Sequence, residues 1–171
     1  MKKFIFFIFC SIIFCNNSFA LIEVDITRGN LEPLPIAVSP LYVDPDSTEV
    51  KKDIGSKISK VIENNFRRSG LFNPLNKDSF VQKPDMAHMK PRFEDWNLIK
   101  AQALVTGKIL ASKEKLRVEF RLWDVVAGKE MVALAFTTVP KNWRRVAHII
   151  SDKIYQRLTG EEGYFDTRII Y

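Results

Sequence analysis

The sequence predicts an α/β domain in which an antiparallel meander of three strands is covered by two main helices. Two stretches, about residues 46–70 and 142–160, carry apolar residues at steps of three and four, the period of an amphipathic helix. A third region, Ala103 to Val139, contains the alternation of apolar and polar residues that is typical of half-buried strands. Of the 171 residues, 46% are hydrophobic and 27% are charged, as in a globular domain.

The predicted meander is the most regular region. Its strands and turns are, in chain order, Ala103–Leu110, Lys113-Glu114, Leu116–Leu122, Ala127-Gly128 and Met131–Val139. The middle strand alternates strictly, so one sheet face is predicted to be buried and the other wet. The wet stripe of Lys115, Arg117 and Arg121 is compatible with an anion patch. Glu119 interrupts that stripe, which favours a solvated sheet face.

The first main helix has clear end signals. Asp46 with Glu49 resembles a capping box, and an apolar stripe follows on one face. The stripe consists of Val50, Ile54, Ile58, Val61, Ile62 and Phe66. Arg67 and Arg68 fall in the last turn, where cations complement the helix dipole, and Gly70 is the predicted stop. This structural role accounts for the arginine pair without a ligand.

Shorter elements are predicted around that helix. Pro35–Val43 reads as a buried strand broken by Pro40, and Leu71–Leu75 reads as a second short strand. Asn76–Pro91 is polar and proline-flanked, so a loop is expected, with a brief strand at Ser79–Val81. Phe93–Gln102 has helical spacing and is expected to pack Trp96 on the core.

The second main helix is followed by an unusual apolar ending. Asn142 is the predicted cap, Gly160 is the predicted stop, and His148 sits beside the apolar stripe as a boundary residue. The stripe consists of Trp143, Val146, Ala147, Ile150, Ile154 and Leu158, and its Trp143 face is expected to pack on the sheet. Gly163–Tyr171 is predicted to be extended. It either pairs back into the domain or begins a further one.

Residues 1–20 have the layout of a cleaved signal peptide. Lys2 and Lys3 form a basic start, Phe4–Cys15 is apolar, and small residues precede a cleavage site between Ala20 and Leu21. An uncleaved anchor is the alternative, but the apolar run is short of the about 20 residues that a membrane span needs. Both cysteines lie inside this segment. The mature chain is therefore expected to be secreted and to contain neither disulfides nor thiolate chemistry.

Removal of the two signal lysines lowers the formal net charge from +6 to +4. A net charge this small and this evenly spread does not indicate a nucleic-acid partner. The predicted export of the chain argues further against one. No nucleic-acid partner is expected.

Leu21–Thr27 alternates apolar with polar residues directly after the predicted cleavage site. Two interpretations remain open. The segment is an ordinary first strand, or it is an extended arm that adds to a partner, separated from the core by the proline-rich stretch at Pro33 and Pro35. Under the second interpretation the partner-binding residues are Leu21, Ile22, Glu23, Val24, Asp25, Ile26, Thr27 and Arg28.

The residues give little support to catalysis. No phosphate loop, nucleophile elbow or zinc-binding helix occurs, and Asp124 and Glu130 flank a turn. Met86, His88 and Met89 are a weak copper signal, against an ordinary loop. We therefore expect no enzyme, no cofactor, no metal and no small-molecule substrate.

Several stretches resemble the amino-terminal domain of the TolB family of the Tol–Pal system. They include Pro35–Val38, Phe66–Leu75, Val105–Lys108, Leu122–Asp124, Trp143–His148 and Leu158–Tyr171, together with Trp96. The resemblance implies a mixed sheet with helices against it, similar in topology to an anticodon-binding domain, and a periplasmic location. It also implies that the arm after the signal, here Leu21 to about Asn30, engages TolA. In that family a following β-propeller binds Pal.

The 171 residues contain no recurring blade unit, so Pal binding is not carried over. The expected division is a signal at 1–20, an arm at 21–33, the α/β domain at 34–160, and a linker with the first strand of an absent propeller at 161–171. The expected function is a periplasmic protein-binding module that supports outer-membrane integrity and cell division through TolA. The alternatives are a folded remnant without partner coupling, or a secreted small-ligand binder with a cleft under the Asn76–Pro91 loop.

Overall fold

The computed structural model describes residues 32–47 and 53–167. In these ranges the strands are β1 Leu34–Val38, β2 Tyr42–Val43, β3 Phe72–Pro74, β4 Ala103–Ala111, β5 Leu116–Asp124 and β6 Lys129–Thr138. The helices are α1 Ile54–Ser69, α2 Pro84–Ala87, α3 Phe93–Leu98 and α4 Trp143–Thr159. Short 3₁₀ turns occupy Lys77–Ser79 and Pro140–Asn142.

The strands form one mixed sheet in the order β3-β1-β4-β5-β6, and β2 also pairs with β4. β1 is parallel to both β3 and β4, whereas β4, β5 and β6 form an antiparallel meander. The predicted fold class, an α/β domain with a mixed sheet that contains a meander, is confirmed. The strand broken at Pro40 is also confirmed, because β1 and β2 pair with successive parts of β4.

Two glycines allow neighbouring elements to pack closely around the break between β1 and β2. A Cβ at Gly55 would overlap the carbonyl oxygen of Leu41, and a Cβ at Gly107 would overlap the carbonyl oxygen of Glu119. Leu41 is buried and its side chain lies over Gly107. Because glycine has no side chain, α1 and β4 can pack closely against the break at these two positions.

α1 and α4 pack on one face of the sheet, as their apolar stripes predict. Ile58, Ile62 and Phe66 of α1 and Ile150 and Ile154 of α4 are fully buried in the cluster that also holds the apolar face of β5. Burying an Ile or Phe side chain contributes roughly 1.5–3 kcal/mol, so these stripes supply much of the stability that fixes the two helices.

A second, smaller cluster lies on the opposite face, where Trp96 packs with Leu104 and Trp123. Trp96 is buried as predicted, and its indole N–H donates to Oε1 of Gln82 at 3.0 Å. The predicted brief strand at Ser79–Val81 is wrong. Asn76 Oδ1 accepts from the backbone N–H of Asp78 and winds the chain into a 3₁₀ turn instead, and α2 then begins at Pro84.

The helix ends match the predictions only in part. Gly70 and Gly160 both end their helices in the left-handed conformation, as expected. Asn142 is the N-cap residue, as predicted, but its side-chain amide donates to Oγ1 of Thr138 and makes no cap hydrogen bond. α3 ends at Leu98, short of Gln102, because Lys100 has a φ of 59°. α1 begins at Ile54 with Asp53 as its N-cap residue, so Asp46 does not cap it as predicted, and Glu49 lies outside the described residues.

Candidate interaction surfaces

The arm residues Leu21–Arg28 and the cleavage site at Ala20 and Leu21 lie outside the described residues. The structure does place the point at which the arm joins the domain. Glu32 and Pro33 are exposed, and the Leu34 backbone N–H donates to the Leu71 carbonyl oxygen at 2.9 Å. Because β1 is flanked by β3 and β4, the arm is attached to an interior strand of the sheet.

The segment after α4 is held by one carboxylate. Asp152 accepts from the backbone N–H groups of Phe165 at 2.7 Å and Asp166 at 3.0 Å, and Asp166 pairs with Arg145 at 3.1 Å. A Cβ at Gly163 would overlap Asp152. Residues 163–167 therefore form no strand, contrary to the extended run predicted there. The predicted strand over 168–171 lies outside the described residues and stays a prediction.

An aromatic cluster joins this segment to the place where the arm attaches. The rings of Phe66, Phe72, Tyr155 and Phe165 form a chain with successive centroid distances of 5.0, 6.1 and 5.9 Å. Phe72 is also the register partner of Leu34. The first residue of β1 and Phe165, the last buried residue before Thr167, therefore pack around the same rings.

The two long helices enclose an open cleft of about 550 Å³. Its lining residues are Val61, Asn64, Asn65, Arg67, Arg68, Arg144 and His148. Sequence reasoning treated Arg67, Arg68 and His148 as separate features of two helix surfaces. Their convergence depends on the α1–α4 contact, which joins residues more than 80 positions apart.

Asn65 organises this cleft. Its side-chain amide is 1% exposed, donates to Ser151 Oγ at 2.9 Å and to His148 Nδ1 at 3.0 Å, and accepts from Arg68 Nη2 at 2.7 Å. The arginine can only donate, so it fixes the orientation of the amide. That orientation requires His148 Nδ1 to accept, which selects the tautomer with its proton on Nε2. The boundary role predicted for His148 agrees with this geometry.

Burial, followed by the nearby positive charge of Arg68, lowers the pKa of His148 below its ordinary value of 6.5. Arg144 acts in the same direction, whereas Asp152 and Asp166 act against it. His148 is therefore neutral at neutral pH, consistent with its acceptor role.

The other face of the meander carries charges that are largely paired. Arg117 binds Glu119 at 2.8 Å, and Arg121 binds Glu130 at 3.2 Å and the His88 carbonyl oxygen at 3.0 Å. These contacts agree with a solvated sheet face. Because Arg117 and Arg121 are already paired, they are less available to an anion than the arginines of the cleft between the helices.

The loop residues that carry the weak copper signal have structural contacts of their own. The His88 ring stacks on Tyr42 at 4.4 Å and its Nδ1 lies 3.2 Å from the Pro84 carbonyl oxygen, while Met86 and Met89 are exposed. Within residues 32–47 and 53–167, no group of three or more His, Cys, Asp or Glu side chains is arranged to hold a metal. Asp124 accepts from the Ala127 N–H at 2.8 Å and so holds the hairpin turn.

Together these features define a mixed α/β domain with an open cleft between its two long helices that is lined by arginines. None of the helices in the described ranges combines the length and hydropathy that a membrane span requires. Residues 22–131 match the family model of the TolB amino-terminal domain. The chain belongs to this family.

A close relative is the Tol-Pal system protein TolB of Pelagibacter ubique (strain HTCC1062), which is 69% identical over 177 aligned positions. The alignment covers 100% of this chain and 39% of that protein, so the chain spans well under half of the relative's length.

Solved structures share the fold. TolB from Acinetobacter baumannii superposes with a TM-score of 0.64 at 22% identity, over 85% of this chain and 33% of that one. Lipoprotein GNA1162 from Neisseria meningitidis superposes with a TM-score of 0.51 at 15% identity, over 74% of this chain and 100% of that one. At these identities the likeness concerns the fold alone.

Proposed function

We propose that the chain is a periplasmic, non-enzymatic protein-binding module of the Tol–Pal envelope system. In this proposal the signal is removed between Ala20 and Leu21, and Leu21–Arg28 forms an extended arm that engages TolA. Through that contact the module supports outer-membrane integrity and cell division. Pal binding is not proposed for these 171 residues, since the family's propeller lies outside them.

The observation that carries this proposal is the alternation in Leu21–Thr27. Ile22, Val24 and Ile26 share one side of an extended chain and Glu23 and Asp25 share the other. A strand with one apolar side can add to the edge of a partner's sheet, where backbone hydrogen bonds give affinity and alternate side chains give specificity. The family match, from residue 22 onward, and the exposed Glu32 and Pro33 support this role.

The test is binding of purified residues 21–171 to the periplasmic carboxy-terminal domain of TolA, measured by titration calorimetry. We expect the intact arm to bind, and deletion of Leu21–Thr27 to weaken binding by about tenfold or more, which corresponds to 1.4 kcal/mol or more. Equal affinity with and without the arm would overturn the proposal.

Matched variants separate the two sides of the arm. The triple substitution Ile22→Ser, Val24→Ser and Ile26→Ser should abolish most of the binding, because it removes the side that would face the partner's core. Glu23→Gln with Asp25→Asn changes the other side and should mainly alter the dependence on salt. If no version of the chain binds, the folded remnant becomes the better account. Mass spectrometry of the periplasmic fraction checks that the mature chain begins at Leu21.

A further inference from the structure

The cleft between α1 and α4 collects positive charge that the fold does not neutralise. Arg67, Arg68 and Arg144 all line it, and none of the three has an acidic partner within the described ranges. The neighbouring carboxylates are already engaged: Asp166 pairs with Arg145, and Asp152 holds the backbone of residues 165–166. The charge in the cleft is therefore available to a partner.

The guanidinium groups are held in place before any partner arrives. Arg68 is fixed by the buried Asn65 at 2.7 Å, Arg67 contacts Asn64 Oδ1 at 3.3 Å, and Arg144 lies over the Trp143 ring at 4.9 Å. Asn65 is itself fixed by Ser151 and His148 on the other helix. Ordering an arginine in advance reduces the entropy lost when it binds a carboxylate, and its planar fork can bind that group through two parallel hydrogen bonds.

Arg144 is also unfavourable for its own helix. It lies in the first turn of α4, a turn without acidic residues, where the positive end of the helix dipole repels a cation. Arg145 in the same turn is compensated by Asp166, but the contacts described for Arg144 include only the Trp143 ring. A residue that opposes the stability of its own helix is expected at a functional or strained site.

We propose that this cleft is a second interaction site, which binds an acidic, extended segment of a protein partner through Arg67, Arg68 and Arg144. The charge of the occupant follows from the three arginines. The extended form of the occupant follows from the shape of the cleft. A cleft of about 550 Å³ between two helices, with Val61 among its lining residues, accepts a peptide. None of the cleft's lining residues belongs to the Leu21–Arg28 arm.

The probe is a blocked decapeptide of alternating glutamate and serine, titrated into mature residues 21–171 at low ionic strength. We expect saturable binding that weakens as salt is added. Arg68→Gln with Arg144→Gln should weaken binding by about tenfold or more, as expected from the loss of two charge-assisted contacts. The control is Lys90→Gln with Lys115→Gln, which removes the same charge from exposed sites elsewhere and should leave the affinity nearly unchanged.

Two further variants guard against a folding artefact. Arg144→Gln alone leaves the Asn65 network intact and should still weaken binding, with a melting temperature that does not fall. Arg68→Lys with Arg144→Lys keeps the charge and should weaken binding less than the glutamine pair, because only the fork geometry is lost.

The proposal is overturned if the lysine control loses as much affinity as the arginine pair, or if a glutamine-serine peptide binds equally well. It is also overturned if anionic phosphatidylglycerol vesicles bind through these arginines while the peptide does not. Deletion of Leu21–Thr27 should leave peptide binding in place. Failure of the TolA proposal and failure of this one are therefore distinguishable.

Discussion

The two long helices carry arginine pairs at opposite ends, and only one of the pairs suits its helix. Arg67 and Arg68 lie in the last turn of α1, where the negative end of the helix dipole attracts cations. Arg144 and Arg145 lie in the first turn of α4, where the positive end repels them. The α1 pair therefore stabilises its own helix, whereas the α4 pair depends on contacts from elsewhere. Asp166 supplies such a contact to Arg145.

The two pairs differ in what they contribute to the molecule. The position of the α1 pair is explained by local helix stability before any partner is considered. The position of Arg144 opposes helix stability, yet it brings a third guanidinium to the cleft that the α1 pair already lines. Three experiments separate these contributions.

The largest effect is expected for Asn65→Ala, which removes the link between Arg68 on α1 and the side chains of Ser151 and His148 on α4. The change leaves a buried hydroxyl, an imidazole nitrogen and Arg68 without their shared partner. We expect the free energy of unfolding to fall by about 2–3 kcal/mol, because each buried group that loses its partner costs about 1–3 kcal/mol. Chemical denaturation measures this. Asn64→Ala is the matched control: Asn64 is exposed, and a change below about 0.5 kcal/mol is expected there. Equal effects at both positions would contradict the role of Asn65.

A smaller effect, opposite in sign at the two helices, is expected from charge reversal. Arg67→Glu should lower the free energy of unfolding by about 1 kcal/mol, because it replaces a favourable dipole interaction with an unfavourable one. Arg144→Glu should raise it by about 0.5 kcal/mol, since a gain of similar size is partly offset by loss of the cation–π contact with Trp143. Thermal and chemical unfolding check both values. The same sign at both positions would show that the dipole does not distinguish them.

The smallest effect concerns His148, whose pKa reports the field in the cleft. Arg68→Gln removes a positive charge beside the ring and should raise the pKa of His148 towards 6.5, as measured by NMR titration. Burial lowers the pKa more than Arg68 does, so part of the shift should remain. Because the folded-state pKa is depressed, stability is fully present above pH 6.5 and falls as the pH drops towards the folded value. The variant should show a weaker fall. An unchanged pKa would place Arg68 too far from the ring to matter.

Elements fixed by local periodicity could be predicted from the sequence. The middle strand of the meander alternates strictly, and β5 has the buried and exposed faces that this alternation indicates. The stop at Gly70 follows in the same way from glycine's tolerance of the left-handed conformation. These features depend on neighbours in the chain, so the residues alone are sufficient to predict them.

Elements fixed by contacts between distant segments could not be predicted. Nothing near Asn65 in the sequence indicates that its amide meets Ser151 and His148 on another helix. Likewise, Gly163–Thr167 has the apolar pattern of a strand, but the carboxylate of Asp152 accepts its N–H groups and holds it along α4 instead. The arm lies outside the described residues, so its predicted role stays a prediction.

The attachment of the arm to β1 has a mechanical consequence. A tension that reaches the domain at Leu34 enters an interior strand, whose ladders with β3 and β4 lie on both sides of it. Pulling along that strand strains both sets of hydrogen bonds together, so they must fail almost simultaneously. A tension that reaches Thr167 instead meets the bonds from Asp152 near the end of the segment and can break them one after another. We therefore expect the domain to resist a load applied at Leu34 better than one applied at Thr167.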